Sequence, residues 1–288
     1  MSATVDNTDC SLGKDEFAKI PHPKGRTSRK TRRNKTPEIS TSLSSNKYYI
    51  VYGLGCRSFP RAYTEMLQID YRQSLHNTVP KENIKLFCHK TSSTLRTIAT
   101  LKMGKTPLKG SRFVNNMVKE ILKDISDGNT VHVFGISFGG AMCARAAEEL
   151  NTMDFDKSKL YIHTFGSIYV PPPAKVNTLN ISHYLYMGDV STKCSRIIEP
   201  NKDVFTDPVT NTKLIMFQAS TVHPEYTFNY FYDNSQNIFW VEPNITSGSS
   251  YDLNKRKGLL IGTKQEWSIH NNYEIMIHSI LQGNVFTK

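Results

Sequence analysis

Apolar and polar positions alternate along this chain in two distinct rhythms. Short β-branched and aromatic runs, Tyr48-Tyr49-Ile50-Val51-Tyr52, Ile84–Cys88, Val131–Phe134, Leu160–Phe165 and Ile181–Met187, have the composition of strands buried on both faces. Between them lie segments whose apolar residues recur every three or four positions. Phe113, Val114, Met117, Val118, Ile121, Leu122 and Ile125 make one such stripe, which predicts a helix closed by Gly128 at its C-cap. Further helices are predicted from Pro60 to about Leu75, over Gly139–Leu150, and from about Asn271 to Leu281. Strands that alternate with amphipathic helices need crossover connections, so the pattern predicts an α/β fold: a mostly parallel central sheet with helices on both faces. From Asp203 to Gly258 the rhythm is less regular, with a strand expected at Leu214–Gln218 and another near Ile238–Val241. The aromatic stretch between them (Tyr226, Phe228, Tyr230, Phe231, Tyr232) reads as core packing, with an acyl pocket or lid as the functional alternative.

Residues 1–47 carry neither rhythm. They hold ten bases and five acids, so +5 of the formal net charge of +11 falls in this stretch. Seven of those bases, Lys24, Arg26, Arg29, Lys30, Arg32, Arg33 and Lys35, are clustered without an acid among them. The expectation is a disordered basic arm and linker over 1–47, followed by a folded domain over 48–288. Such an arm suits nuclear import, an anionic membrane surface, nucleic-acid phosphates, or no more than solubility. The domain itself has no RRM, KH or zinc-finger signature. No apolar run reaches the length of a membrane span, and no signal-peptide stretch opens the sequence, so an intracellular, non-secreted protein is expected. The five cysteines are odd in number and lack C-x-x-C spacing, which points to reduced thiols rather than disulfides or a zinc knuckle.

The chemistry concentrates in Val131-His132-Val133-Phe134-Gly135-Ile136-Ser137-Phe138-Gly139-Gly140-Ala141. A strand runs through Gly-x-Ser-x-Gly directly into a helix of small residues. On a strand-to-helix turn this tight, side chains at Gly135 or Gly139 would collide with neighbouring backbone, and the serine hydroxyl is pushed out at the sheet's carboxyl edge. The Phe138 amide, at the start of the helix, is then a candidate oxyanion donor. The competing reading is a Gly-rich turn in which Ser137 merely caps the helix.

A serine nucleophile needs a base and a group to orient it, and in α/β-hydrolases the chain order is Ser, acid, His. Asp189 follows the strand ending at Met187, whereas Asp203 and Asp207 lie in a loop. Of nine histidines, His22 is in the arm, His76 and His89 precede the serine, and His132, His163 and His183 fall inside strands. His223, His270 and His278 remain, and His270 alone sits at a loop-to-helix junction near the C-terminus. A second oxyanion donor is the Leu54 amide, flanked by Gly53 and Gly55; those glycines serve equally well as a plain tight turn.

These segments resemble class 3 (fungal-type) lipases. Gly135–Ala141 is similar to that family's G-H-S-L-G-G-A, Thr164-Phe165-Gly166-Ser167 to its F-G-x-P, Gly188-Asp189-Val190 to its D-x-V, and His270-Asn271-Asn272-Tyr273 to its H-x-x-Y. The resemblance implies an α/β-hydrolase fold, carboxylic ester hydrolysis through Ser137, Asp189 and His270, a lipid substrate, and no metal or organic cofactor. The sequence departs from it at Ile136, Phe138 and Ile168, where His, Leu and Pro are usual. Tyr52-Gly53-Leu54-Gly55 is closer to the H-G-x-G loop of general esterases, with Tyr in place of His. The rival expectation is a catalytically silent hydrolase scaffold that binds nucleic acid or anionic membrane through its arm.

Overall fold

The computed structural model describes residues 45–53, 81–88, 111–195, 197–206, 212–216 and 226–243, and near the C-terminus Glu266, Ile269, His270, Tyr273, Met276, Ile277, Ile280, Phe286 and Lys288. Residues 1–44 of the expected arm and linker, the helix from Pro60 to Leu75, and Leu54 lie outside the described residues. All described residues belong to one unit, Ser42–Lys288.

In chain order the elements are β1 (Asn46–Tyr52), β2 (Ile84–Cys88), α1 (Arg112–Ser126), β3 (Thr130–Ile136), α2 (Phe138–Asn151), β4 (Leu160–Phe165), β5 (Asn180–Tyr186), α3 (Val190–Ser195), β6 (Thr212–Met216), β7 (Tyr226–Asp233) and β8 (Ile238–Val241). The strands form a single sheet in the order β2-β1-β3-β4-β5-β8-β7-β6. From β2 to β8 all pairings are parallel; β7 then runs antiparallel to both β8 and β6. This is the mostly parallel α/β sheet that the alternating rhythm predicts. The aromatic stretch 226–232 is a strand, and the reversal at β7 follows from the short turn that joins it to β8.

Several boundaries move by one or two residues, and pairing explains the shifts. β1 begins at Asn46, inside the stretch assigned to the linker, because Asn46 and Lys47 pair with Thr130 and Val131. β3 continues past Phe134 because Gly135 and Ile136 pair with Thr164 and Phe165 of β4. The stripe on α1 buries Val114, Met117, Val118, Ile121 and Ile125. Its end differs from expectation by one position: Asp127 is the C-cap, and Gly128 follows at φ 91°. The Gly128 amide donates to Ile125 O and the Asn129 amide to Asp124 O, each at 3.0 Å, which satisfies the last carbonyls of the helix.

The sheet is covered on both faces. On one, Tyr49, Val51, Val133 and Ile162 pack beneath α1 and α2. On the other, Phe134, Phe165, Tyr184 and Phe239 pack with Tyr273, Met276, Ile277 and Phe286 of the C-terminal segment, of which Met276 and Ile277 are helical. That second face is an in-register ladder of rings. Phe165, Tyr184 and Phe239 stack across three neighbouring strands with centroids 5.1 Å apart, and His132 and His163 join parallel stacks alongside them. No helix among the described residues is long and apolar enough to cross a membrane.

Strand histidines are therefore packing groups. Burial, with smaller contributions from His132 and Lys288, pushes His163 down to about 3, and burial with Lys288 pushes His183 to about 3. His183 still hydrogen-bonds Thr164 Oγ1 through Nδ1 at 2.7 Å. Unfolding returns both imidazoles to an ordinary pKa near 6.5, so the unfolded chain takes up protons first as pH falls. Their contribution is present in full above about pH 6.5 and is lost on descending toward about 3. Urea denaturation between pH 7 and 4 should show stability falling by up to about 2.7 kcal/mol per pH unit from this pair. His183→Gln should flatten that slope by about half, and an unchanged slope in the variant would refute the assignment.

Candidate active site

Because β1, β3, β4 and β5 are parallel, their C-terminal ends share one edge, and the chain leaves β3 there at Ser137. Ser137 has φ 57° and ψ −120°, a combination rarely adopted by a residue with a side chain. What holds it is the tightness of the packing around it. A Cβ added to Gly139 would lie 2.1 Å from Val51 O, so α2 rests directly on the backbone of β1. A Cβ on Gly135 would lie 2.8 Å from the Gly140 Cα and 2.6 Å from Cys143 Sγ. The Ser137 amide donates to Phe165 O at 2.8 Å, which ties the turn to β4. Its hydroxyl makes no capping bond to α2, contrary to the reading of Ser137 as a helix cap.

That hydroxyl is instead 2.8 Å from His270 Nε2, and His270 Nδ1 is 2.8 Å from Asp189 Oδ1. Three groups separated by 81 and 133 positions in sequence thus stand in one hydrogen-bonded line. Ser137 is partly exposed, His270 and Asp189 are buried. The line runs from solvent into the protein.

Asp189 leaves β5 through Gly188, and its carboxylate is fully engaged. Oδ1 accepts from the Ser191 amide at 2.7 Å as well as from His270, and Oδ2 accepts from the Tyr273 hydroxyl. Burial works against its charge, but attraction to His270 and the hydrogen bonds from His270, Ser191 and Tyr273 outweigh it. The carboxyl is held below its usual range. Tyr273 in turn accepts from the Tyr186 amide at 2.9 Å, which pins the phenol to the end of β5. Burial and the adjacent Asp189 push Tyr273 well above its ordinary value, so it remains a donor. In the sequence Tyr273 is only the last position of the H-x-x-Y segment, with no role attached. Its signal was the three-residue step from His270, which brings both side chains to one region.

His270 is helical, as are Glu266 and Ile269, rather than standing at a loop-to-helix junction. The helix expected from about Asn271 is present at Met276, Ile277 and Ile280, while Tyr273 itself is not helical: its side chain bonds Asp189 and Tyr186, and its carbonyl accepts from Ile277 N at 3.0 Å. Lys193 of α3 pairs with Glu266, linking α3 to the segment that carries His270.

Other candidates separate from this line. Asp203 is exposed in a short 3₁₀ turn and bonded by Asn201. His223, His278 and Asp207 lie outside the described residues, as does Leu54. Phe138 opens α2 beside Ser137 with its ring buried. At the end of β1, a Cβ on Gly53 would sit 2.8 Å from the Ser137 Cβ and 3.2 Å from its Oγ, so the chain leading to Leu54 passes directly against the serine. Among the described residues no cluster of three His, Cys, Asp or Glu groups is arranged to hold a metal.

The sequence matches no family model and no curated protein. Among solved structures it is similar to "Phospholipase PlaB from Legionella pneumophila in complex with thio-NAD" at 12% identity and a TM-score of 0.33. The match covers 59% of this chain and 46% of that one, so the chain spans under half of its neighbour's length. A likeness this remote leaves the reading of the site to its geometry.

Tyr273→Phe removes one charge-assisted hydrogen bond from Asp189 and leaves the Tyr186 amide without its acceptor. The expected cost is about 1.5–3 kcal/mol by urea denaturation at pH 7. A loss under about 0.5 kcal/mol would mean that the phenol does not hold the carboxylate.

Proposed function

We propose that the chain is a serine hydrolase of carboxylic esters with an α/β-hydrolase fold. Ser137 is the nucleophile, His270 the general base and Asp189 the orienting acid, with the Phe138 and Leu54 amides binding the oxyanion. The observation that carries this reading is the pair of 2.8 Å contacts that His270 makes, one ring nitrogen to Ser137 and the other to Asp189. The positive φ of Ser137 on a turn between β3 and α2, and the chain order Ser, Asp, His, support it further. The lipid character of the substrate rests on the four motifs that resemble class 3 lipases.

Ser137 Oγ attacks the ester carbonyl carbon while its proton passes to His270 Nε2. Asp189 accepts the proton-bearing Nδ1, fixing the tautomer and stabilising the imidazolium. Charge developing on the carbonyl oxygen meets the Phe138 and Leu54 amides. Collapse breaks the bond to the alkoxide, which takes the proton from His270 and leaves an acyl-Ser137. A water deprotonated by His270 then attacks the acyl carbon, Ser137 recovers its proton, and the carboxylic acid departs.

The basic arm serves this activity by attaching the domain to an anionic surface. Its seven clustered bases support that role, each contributing up to about 1 kcal/mol near anionic lipid and acting over a Debye length of about 8 Å. Among the described residues the chain enters β1 through Ser45, whose hydroxyl donates to Asn129 at 2.7 Å.

Ser137→Ala should lose fluorophosphonate labelling and at least about a thousandfold in turnover of a soluble ester, with unchanged circular dichroism. His270→Ala should lose a similar factor. Persistent labelling of the Ser137→Ala chain would overturn the assignment, and an unlabelled parent chain would favour the silent scaffold. Deleting residues 1–43 should leave soluble-ester turnover intact while reducing the salt dependence of binding to anionic vesicles; a truncated chain with the full salt dependence of the parent would show that the arm adds nothing to the attachment.

A further inference from the structure

Three large apolar side chains are exposed among the described residues: Met153 at 36%, Tyr161 at 37% and Ile198 at 81%. Met153 follows α2 and Tyr161 opens β4, so both lie toward the amino-terminal edge of the sheet. Ile198 is at the other edge, nine positions beyond Asp189. Single exposed apolar residues are ordinary on protein surfaces, so the exposure alone decides nothing. What distinguishes Ile198 is that its neighbours hold it out.

The Ile197 amide donates to Thr192 O at 3.3 Å, folding the segment back on α3, and the Ile197 side chain packs with Leu185, Met187 and Trp240. On the other side, Glu199 turns inward. Its carboxylate accepts from the Thr192 hydroxyl at 2.5 Å and from the Gly188 amide at 3.2 Å, directly beside Asp189. With both neighbours anchored inward, Ile198 is presented to solvent by a fixed backbone at the edge where Ser137 opens. The acid of this stretch is spent on the interior, while Lys193 and Lys202 remain exposed on either side of Ile198. Lys193 also pairs with Glu266, and the exposed Asp203 is bonded by Asn201.

We propose that Ile198, with Lys193 and Lys202 on either side of it, is the surface by which the domain seats on a lipid aggregate with anionic headgroups, Ile198 entering the acyl layer and the two lysines meeting the headgroups. The inference rests on the lipid-ester reading above and specifies how that substrate is reached. Ile198 follows the carboxyl end of β5, the sheet edge that carries Ser137, so the same contact that binds the aggregate turns that edge toward it. A rigid anchor loses little conformational entropy on insertion, so the gain from burying Ile198 appears in the affinity.

Sedimentation of the full-length chain with vesicles of phosphatidylcholine and phosphatidylglycerol tests this, with Ser137→Ala in every chain so that lipid stays intact. Ile198→Asp should weaken binding at least about tenfold, the equivalent of losing one buried isoleucine. Met153→Asp, at the opposite edge, should bind like the parent. In the Ser137 background both variants should keep parental turnover of a soluble short-chain ester. Parental binding by Ile198→Asp, or an equal loss from Met153→Asp, would overturn the proposal. Sedimentation needs no catalysis, so a parent chain that hydrolyses no ester would sink the hydrolase reading while the Ile198 comparison still decides this one.

Discussion

A carboxylate taken out of water must find enough donors to replace it, and Asp189, with 1% of its surface exposed, is the group around which the site is organised. Its turn supplies one donor, the Ser191 amide, and the other two have to come from elsewhere. Both arrive on the C-terminal segment, as His270 and Tyr273. The requirement to satisfy one buried charge therefore fixes two side chains of a segment more than eighty positions away. Once Tyr273 occupies Oδ2, Oδ1 is left for the imidazole, whose second nitrogen then points at Ser137. The orientation of the imidazole follows from the electrostatics of the carboxylate.

The serine is held by a different force. Its backbone strain is balanced by close packing, with α2 seated on β1 through Gly139 and on β3 through Gly135. Small residues in α2, Ala141, Ala144, Ala146 and Ala147, continue that close approach and are all buried. Burial also pushes the Cys143 thiol up, so this sulfur behaves as one more small packing group. One half of the site thus depends on steric fit, which is insensitive to pH. The other half depends on a buried ion, which is not.

These two forces differ in how plainly the sequence displays them. Periodicity exposed the strands and α1 because burial on a regular element repeats at a fixed step, and Gly-x-Ser-x-Gly exposed the turn because steric crowding dictates residue type locally. Asp189 and His270 were reachable by chain order and position. Tyr273 was not assigned a role, since its function depends on the Asp189 carboxylate and the Tyr186 amide, both distant in sequence. The ring ladder escaped too. Tyr184 and Phe239 are separated by 55 positions, and only strand register makes them neighbours.

Distance along the chain also sets the order in which the site can form. β3, α2 and β4 draw their contacts from neighbouring segments, whereas His270 reaches Ser137 only across 133 positions. The entropy of closing so long a loop rises slowly with its length, so the separation is not prohibitive, but no local contact offsets it. The energy must come from the second face, where Tyr273, Met276, Ile277 and Phe286 complete the aromatic cluster with Phe134, Phe165 and Tyr184. Packing on that face delivers His270, and the buried carboxylate then selects its orientation. The aromatic ladder is therefore part of the site's assembly, joined to Asp189 through the Tyr273 hydroxyl.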